Sequence, residues 1–194
     1  MAKKKTIKKT NWLALIPAFA AIATIILATF LAGVIKVDQA TIGSTLLSTT
    51  TTTVSLIGLM FGNGTSVSKT VSSNSENITK TPYDGGMSTF GLIAIILLAI
   101  GIVAIVASLF IKGKKLDFIG SALILLGGIF IFLVLVGGTD LVSTFEIGSY
   151  VQTNTVPFAD AFEGFKLGAG VYVCAIISIL GGLIGGYTAL KAKT

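Results

Sequence analysis

Apolar positions gather in long unbroken blocks along this chain instead of alternating with polar ones. Four blocks stand out, at residues 13–35, 90–111, 118–136 and 167–190, and none has a charged residue in its interior. Each reaches about 18 residues or more, the length a helix needs to cross a bilayer. The pattern predicts a membrane all-α protein: a four-helix transmembrane bundle forming one domain over residues 1–194. The first block follows "KKKTIKK". Its apolar run is longer than the roughly 7–15 residues of a signal-peptide core, so it reads as a retained anchor.

Two longer polar stretches separate the blocks, 36–89 and 137–166. The first runs through "VDQATIGSTLL" and "STLLSTTTTTVSLIGLMFGNGT". β-Branched residues dominate there, and these favour strands. The apolar part, residues 54–61, is too short to span as a helix. A lone strand would leave its backbone unpaired in lipid. The expectation is a small extracellular β-sheet formed mainly by this first outer loop, with an interfacial helix as the lesser alternative. Beyond the Gly-Asn-Gly turn the residues suit a hairpin with a mobile tip, then the turn "TPYDGG". In the second stretch Phe158, Phe162 and Phe165 fall at i, i+4 and i+7, and Pro157 sits where a first-turn proline would. This predicts a helical extension of the fourth block with an aromatic stripe. The stripe either packs under the sheet, lies at the lipid interface, or meets a partner.

Composition agrees with a lipid setting. The chain of 194 residues is 53% hydrophobic and 11% charged, against about 25% charged in soluble domains. The placement of charge adds an orientation. With the N-terminus in the cytoplasm, the termini and the short turn at 112–117 hold ten lysines against Asp117, net +9. The two outer stretches hold four lysines against seven acids, net −3. Positive charge stays inside, which predicts a multi-pass plasma-membrane protein with both termini cytoplasmic.

Small residues recur every fourth position in two blocks. The first carries Ala20, Thr24, Ala28 and Ala32; the fourth carries Gly170, Cys174, Ser178, Gly182 and Gly186, with Gly181, Gly185 and Ala189 beside them. Such rows let helix backbones approach closely where lipid gives no apolar driving force. Antiparallel packing of the first and fourth helices is expected, and Cys174 reads as a packing residue. Gly127 and Gly128 mark either a bend or a close helix crossing, and the crossing is expected.

The chemistry-bearing residues are sparse. There is no His, and the blocks hold none of the ionisable groups that usually mark ion or proton pathways. No metal-ligand set, phosphate loop or nucleophile–base pair is recognisable. The expectation is therefore no enzyme, no cofactor, no nucleic acid and no small-molecule substrate. Asn63 ("NGT") and Asn77 ("NIT") match the N-glycosylation pattern on the outer side.

Two stretches resemble the claudin and peripheral myelin protein group of tetraspan proteins. "FEGFKLGAGVYVCAIISILGGLIGG", residues 162–186, resembles that group's entry into its fourth helix. "SLIGLMFGN", residues 55–63, is similar to its outer-loop signature: Gly58 and Leu59 align, Met60 stands at its Trp, and its two cysteines are absent. The resemblance implies a structural surface protein that mediates lateral assembly or cell-surface contact. Its partners would be the bilayer and further copies or other membrane proteins. Gly58, Leu59, Met60, Phe158, Phe162 and Phe165 are the candidates for outer contacts. The alternative is an accessory subunit of a membrane transporter complex, or a small channel.

Overall fold

The structure is a computed structural model and describes residues 12–42, 45–73, 75–111, 114–147 and 150–191. The lysines of the N-terminal cluster, with Lys112 and Lys193, lie outside these residues. A 3-10 turn (Trp12–Leu15) leads into α1 (Ile16–Phe30), followed by β1 (Ala32–Ile42), β2 (Thr45–Ser55), α2 (Leu56–Phe61), β3 (Asn63–Ser72) and β4 (Ser75–Asp84). Then come α3 (Thr89–Phe110), α4 (Lys114–Phe132), β5 (Leu141–Ile147), β6 (Tyr150–Val156), α5 (Phe158–Ala161), β7 (Lys166–Leu167) and α6 (Ala169–Lys191).

Four helices are long and apolar enough to cross a membrane: Leu13–Phe30, Thr89–Phe110, Lys115–Phe132 and Ala169–Lys191. Large apolar side chains stand on their outer surfaces, with Phe30 80% and Phe110 82% exposed. Helices apolar on every side belong in a core or a membrane, so these outer faces suit a lipid surround.

The helix limits differ from the sequence expectation where strands or tight turns take over. The first helix does not reach residue 35. Leu31 is already extended, with φ −91° and ψ 145°, and Val34 and Ile35 lie in β1. Both residue types suit a membrane helix and a strand equally, and here pairing with β2 decides. Gly33 confirms the fit, since a Cβ there would come within 2.6 Å of the Leu56 Cα. The third helix runs earlier than expected. Asp117 lies in its first turn, where a carboxylate favours the helix dipole. Past Phe132 the chain closes into short turns, Leu133 N–H to Phe130 O at 3.0 Å and Val136 N–H to Leu133 O at 2.9 Å. The second helix is capped by Ser88, whose hydroxyl accepts from the Gly91 N–H at 3.1 Å.

An antiparallel five-stranded sheet follows the order β4-β3-β2-β1-β7. The five threonines 49–53 lie in β2, its middle strand. On one face they join neighbouring hydroxyls, Thr50 to Thr70 at 3.0 Å and Thr52 to Ser68 at 3.2 Å. Of the apolar run after them Val54 still lies in β2, and from Leu56 to Phe61 it is a helix instead of the expected strand. Ser55 caps α2 by accepting from Gly58 N–H at 3.2 Å, and Gly62 ends it with φ 71°. The hairpin expected beyond the Gly-Asn-Gly turn is present as β3 and β4, paired from Ser75 to Asp84, its tip at Asn74 lies outside the described residues, and the expected "TPYDGG" turn is mostly strand. A separate hairpin, β5–β6, arises from the second stretch.

Helix α6 packs against both α1 and α4, and α3 packs against α4 and α1. The expected α1–α6 contact is present, centred on Thr24. Its hydroxyl shares a hydrogen bond with Ser178 Oγ at 2.8 Å and donates to the Cys174 carbonyl at 3.3 Å. Ala28 is buried, and Gly170 lies against the Ala32 carbonyl, though Ala32 is on β1 and not on the helix. The glycine row turns as it descends. Gly181 faces Ala20, Gly185 faces Pro17 and Ser121, and Gly182 instead faces α4, where a Cβ would lie 2.7 Å from Leu125 Cβ. Gly186 meets nothing within 4 Å. Four-residue spacing drifts around a 3.6-residue helix, so one row reaches two neighbours in turn. Gly127 and Gly128 mark a close crossing, the first against Leu98 of α3 and the second against Ile179 and Ser178 of α6.

This geometry separates two glycines that look alike in sequence. Gly182→Leu is expected to lower the thermal midpoint of the protein in detergent, since overpacking typically costs about 1–3 kcal/mol. Gly186→Leu is expected to leave the midpoint near wild type. Equal effects from the two would reject the assignment.

Candidate contact surface

The residues chosen from sequence as outer contacts come together, but inside the protein. Leu59 and Met60 are fully buried on α2, and Gly58 is buried with them. Gly58 needs its missing side chain, because a Cβ would approach Ser55 Oγ at 2.9 Å. Met60 lies against Gly91 of α3, and the Leu59 carbonyl accepts the Ser88 N–H at 2.9 Å. So α2 is a plug joining the base of the sheet to the start of α3. A six-residue helix with so many large apolar side chains has to bury them.

The three phenylalanines form a pile of tilted and edge-to-face rings rather than a helical stripe. α5 is a single turn, and Gly164 with φ 78° and then β7 break the chain before α6. The expected helical extension of the fourth block is therefore absent. Ring centroids lie 4.8 Å apart for Phe158–Phe162 and 5.4 Å for Phe162–Phe165, and Tyr83 joins at 6.3 Å. Phe158 is 3% exposed and Phe162 8%. The stack packs under the sheet, as one of the sequence alternatives has it. Phe165 is half-buried, with the Lys36 ammonium 5.8 Å above its ring.

Short polar contacts fix this stack to the top of α3. Met87 N–H donates to Thr139 Oγ1 at 2.8 Å, and Thr139 N–H returns to Met87 O at 2.9 Å. Ser88 donates its hydroxyl to the Val134 carbonyl at 2.6 Å. Tyr83 donates to the Gly86 carbonyl at 3.0 Å. Burial among these groups pushes the Tyr83 phenol up from 10.0 to about 12.

What remains exposed is the distal part of the sheet. One face bears half-buried hydroxyls, including Thr50, Thr52, Ser68 and Thr70. The other bears Val37, Val71 and Ile78, each 43–55% exposed, among Lys69, Glu76 and Lys80. Lys69 and Glu76 form an ion pair at 2.7 Å. A cleft of about 510 Å³ opens where the end of α1 meets the sheet, between Phe30, Ile57, Val67 and Lys80. Among the described residues no group of three or more His, Cys, Asp or Glu is placed to hold a metal ion. Sequence reasoning placed a hairpin here but not the extent of β4, whose residues are almost all polar and which runs on to Asp84. The available signal was its tight connection to β3, which leaves two residues between the paired Ser72 and Ser75.

Comparison with protein-family models and with curated protein sequences returns no match.

The Tyr83 shift has a direct readout. A phenol whose folded pKa lies above its unfolded value binds its proton more tightly in the native state. Its stabilisation is complete below pH 10 and is lost as pH rises from there toward 12. Ultraviolet titration of the folded protein is expected to show a late tyrosine ionisation that Tyr83→Phe removes. A late step that survives this substitution would place the shifted phenol elsewhere.

Proposed function

We propose that this chain is a multi-pass structural or interaction protein of the plasma membrane, claudin-like in plan. It would mediate lateral assembly or cell-surface contact. In this reading the four helices form a transmembrane bundle, both termini are cytoplasmic, and the sheet faces outward. One observation carries it: the helices spend their few polar groups on each other, while the sheet leaves its distal half exposed. Thr24, Ser178 and Cys174 are buried and mutually hydrogen-bonded between α1 and α6. That arrangement favours a closed helix contact over a water-lined path, and charged groups that would conduct ions are missing from the apolar blocks. The lysine asymmetry supports the orientation.

Purified in mild detergent, the full chain is expected to run with the mass of more than one copy. Reconstituted into liposomes, it is expected to leave ion gradients intact. Reproducible flux from the pure protein would replace this reading with a small channel. Constant co-purification with one transporter would favour an accessory subunit.

A further inference from the structure

The sheet has one long open edge. β4 pairs only with β3, whereas the opposite edge is the two-residue β7 at the start of α6. Residues 76–80 of β4 are all exposed, Ile78 at 55%. Pro82 sits in the ladder opposite Thr65. A proline has no N–H to give, so an edge strand carries it with its nitrogen facing away from the sheet. Antiparallel pairing alternates in direction from residue to residue. Lys80, Ile78 and Glu76 share the phase of Pro82, so their backbone N–H and C=O groups also face outward, ready to pair with another strand.

The charges along this edge are self-complementary when the strand is turned end for end. Glu76 and Lys80 are equally spaced about Ile78, and all three side chains share one face of the sheet. We propose that β4 is a self-recognition edge, pairing antiparallel with β4 of a second copy about a two-fold axis through Ile78. Glu76 of each copy then lies opposite Lys80 of the other, and Ile78 meets Ile78. Each of these pairs exchanges both backbone hydrogen bonds. Centring on Lys80 would oppose two lysines, and centring on Glu76 two glutamates, so the charge pattern selects the register. Lys69, already paired with Glu76 at 2.7 Å, holds that carboxylate on the same face. Pro82 ends the ladder on the helix side, where it has no hydrogen to donate. The two-fold places the helix-bearing ends of the two copies at opposite ends of a continuous sheet.

The inference deepens the cell-surface-contact branch of the assembly reading and rests on it, since helices at opposite ends of one sheet belong to facing membranes. In a Cys174→Ser background, Asn77→Cys and Thr79→Cys chains are purified separately in mild detergent, then mixed and oxidised. In the proposed register Asn77 of one copy faces Thr79 of the other as a non-hydrogen-bonded pair. Their Cα atoms lie about 4.5 Å apart, within disulfide reach. Disulfide-linked dimers are expected from the mixture and not from either chain alone. Adding Glu76→Lys or Lys80→Glu to both chains is expected to abolish the link, and adding the two together to restore it. Equal linking by the single-variant samples, or an assembly by mass with no link in the mixture, would overturn the β4 register and leave the assembly reading standing. A chain that is monomeric by mass and never links would overturn both.

Discussion

The end of a helix leaves its last carbonyls without partners, and the way α1 resolves this organises everything above it. Leu31 N–H closes the helix onto the Leu27 carbonyl at 2.9 Å. The Leu31 carbonyl then accepts from Leu56 N–H at 3.1 Å, and the Gly33 carbonyl from Gly168 N–H at 2.8 Å. Three elements far apart in sequence converge on three residues: the start of α2, the approach to α6 and the first strand. Gly33 and Gly168 permit it by lacking side chains, since a Cβ on either would collide with backbone. The switch from helix to sheet therefore occurs with the backbone hydrogen bonds handed directly from one element to the next.

Below that junction the helices rely on proximity. Four helices apolar enough to cross a membrane would find no hydrophobic reason to associate among lipid tails, so van der Waals contact and a few polar bonds would have to do it there. Gly101 and Gly120 face each other's carbonyls across α3 and α4, a Cβ on either coming within 2.9 Å of the opposite oxygen. Ser121 donates to the Asp117 carbonyl at 2.7 Å within α4 and also lies against Gly185 of α6. Polar side chains in these helices are thus satisfied within the protein, which is the condition for keeping them away from water at all.

The sequence made the four long helices legible because their signal is summed over about 20 residues. It made the sheet legible in part, since β-branched runs and a Gly-Asn-Gly turn are strong local cues. It did not separate Val34 and Ile35 from the helix before them, because membrane helices and strands accept the same side chains. Rotation of α6 was hidden for a similar reason: Gly181 and Gly182 are adjacent and chemically identical, and only the positions of Pro17, Ala20 and Leu125 tell them apart. The contact candidates were legible as a group: burial of the phenylalanines is one of the alternatives the sequence offers, whereas Leu59 and Met60 read as outer contacts and are buried. Leu59, Met60, Phe158 and Phe162 are special because they are large and apolar near a polar region, and burial satisfies that condition as well as exposure to a partner does.

The sheet must hold without a covalent staple, Cys174 being the one cysteine and buried between helices. Its support is graded along the strands. At the base, Val34 and Val54 are buried, and the stack of Phe158, Phe162 and Tyr83 supplies aromatic contacts worth about 0.5–1.5 kcal/mol per pair beyond their burial. Toward the tips Thr, Ser, Lys and Glu predominate and the few apolar side chains, Val37, Val71 and Ile78 among them, are exposed, so the strands are held by the ladder itself with cross-strand pairs of about 0.2–1 kcal/mol each. The fixed end therefore belongs to the helices, and the free end has backbone pairing as its main resource. An edge strand there gains more from a further strand than any part of the base would, because at the base the apolar contacts are already made.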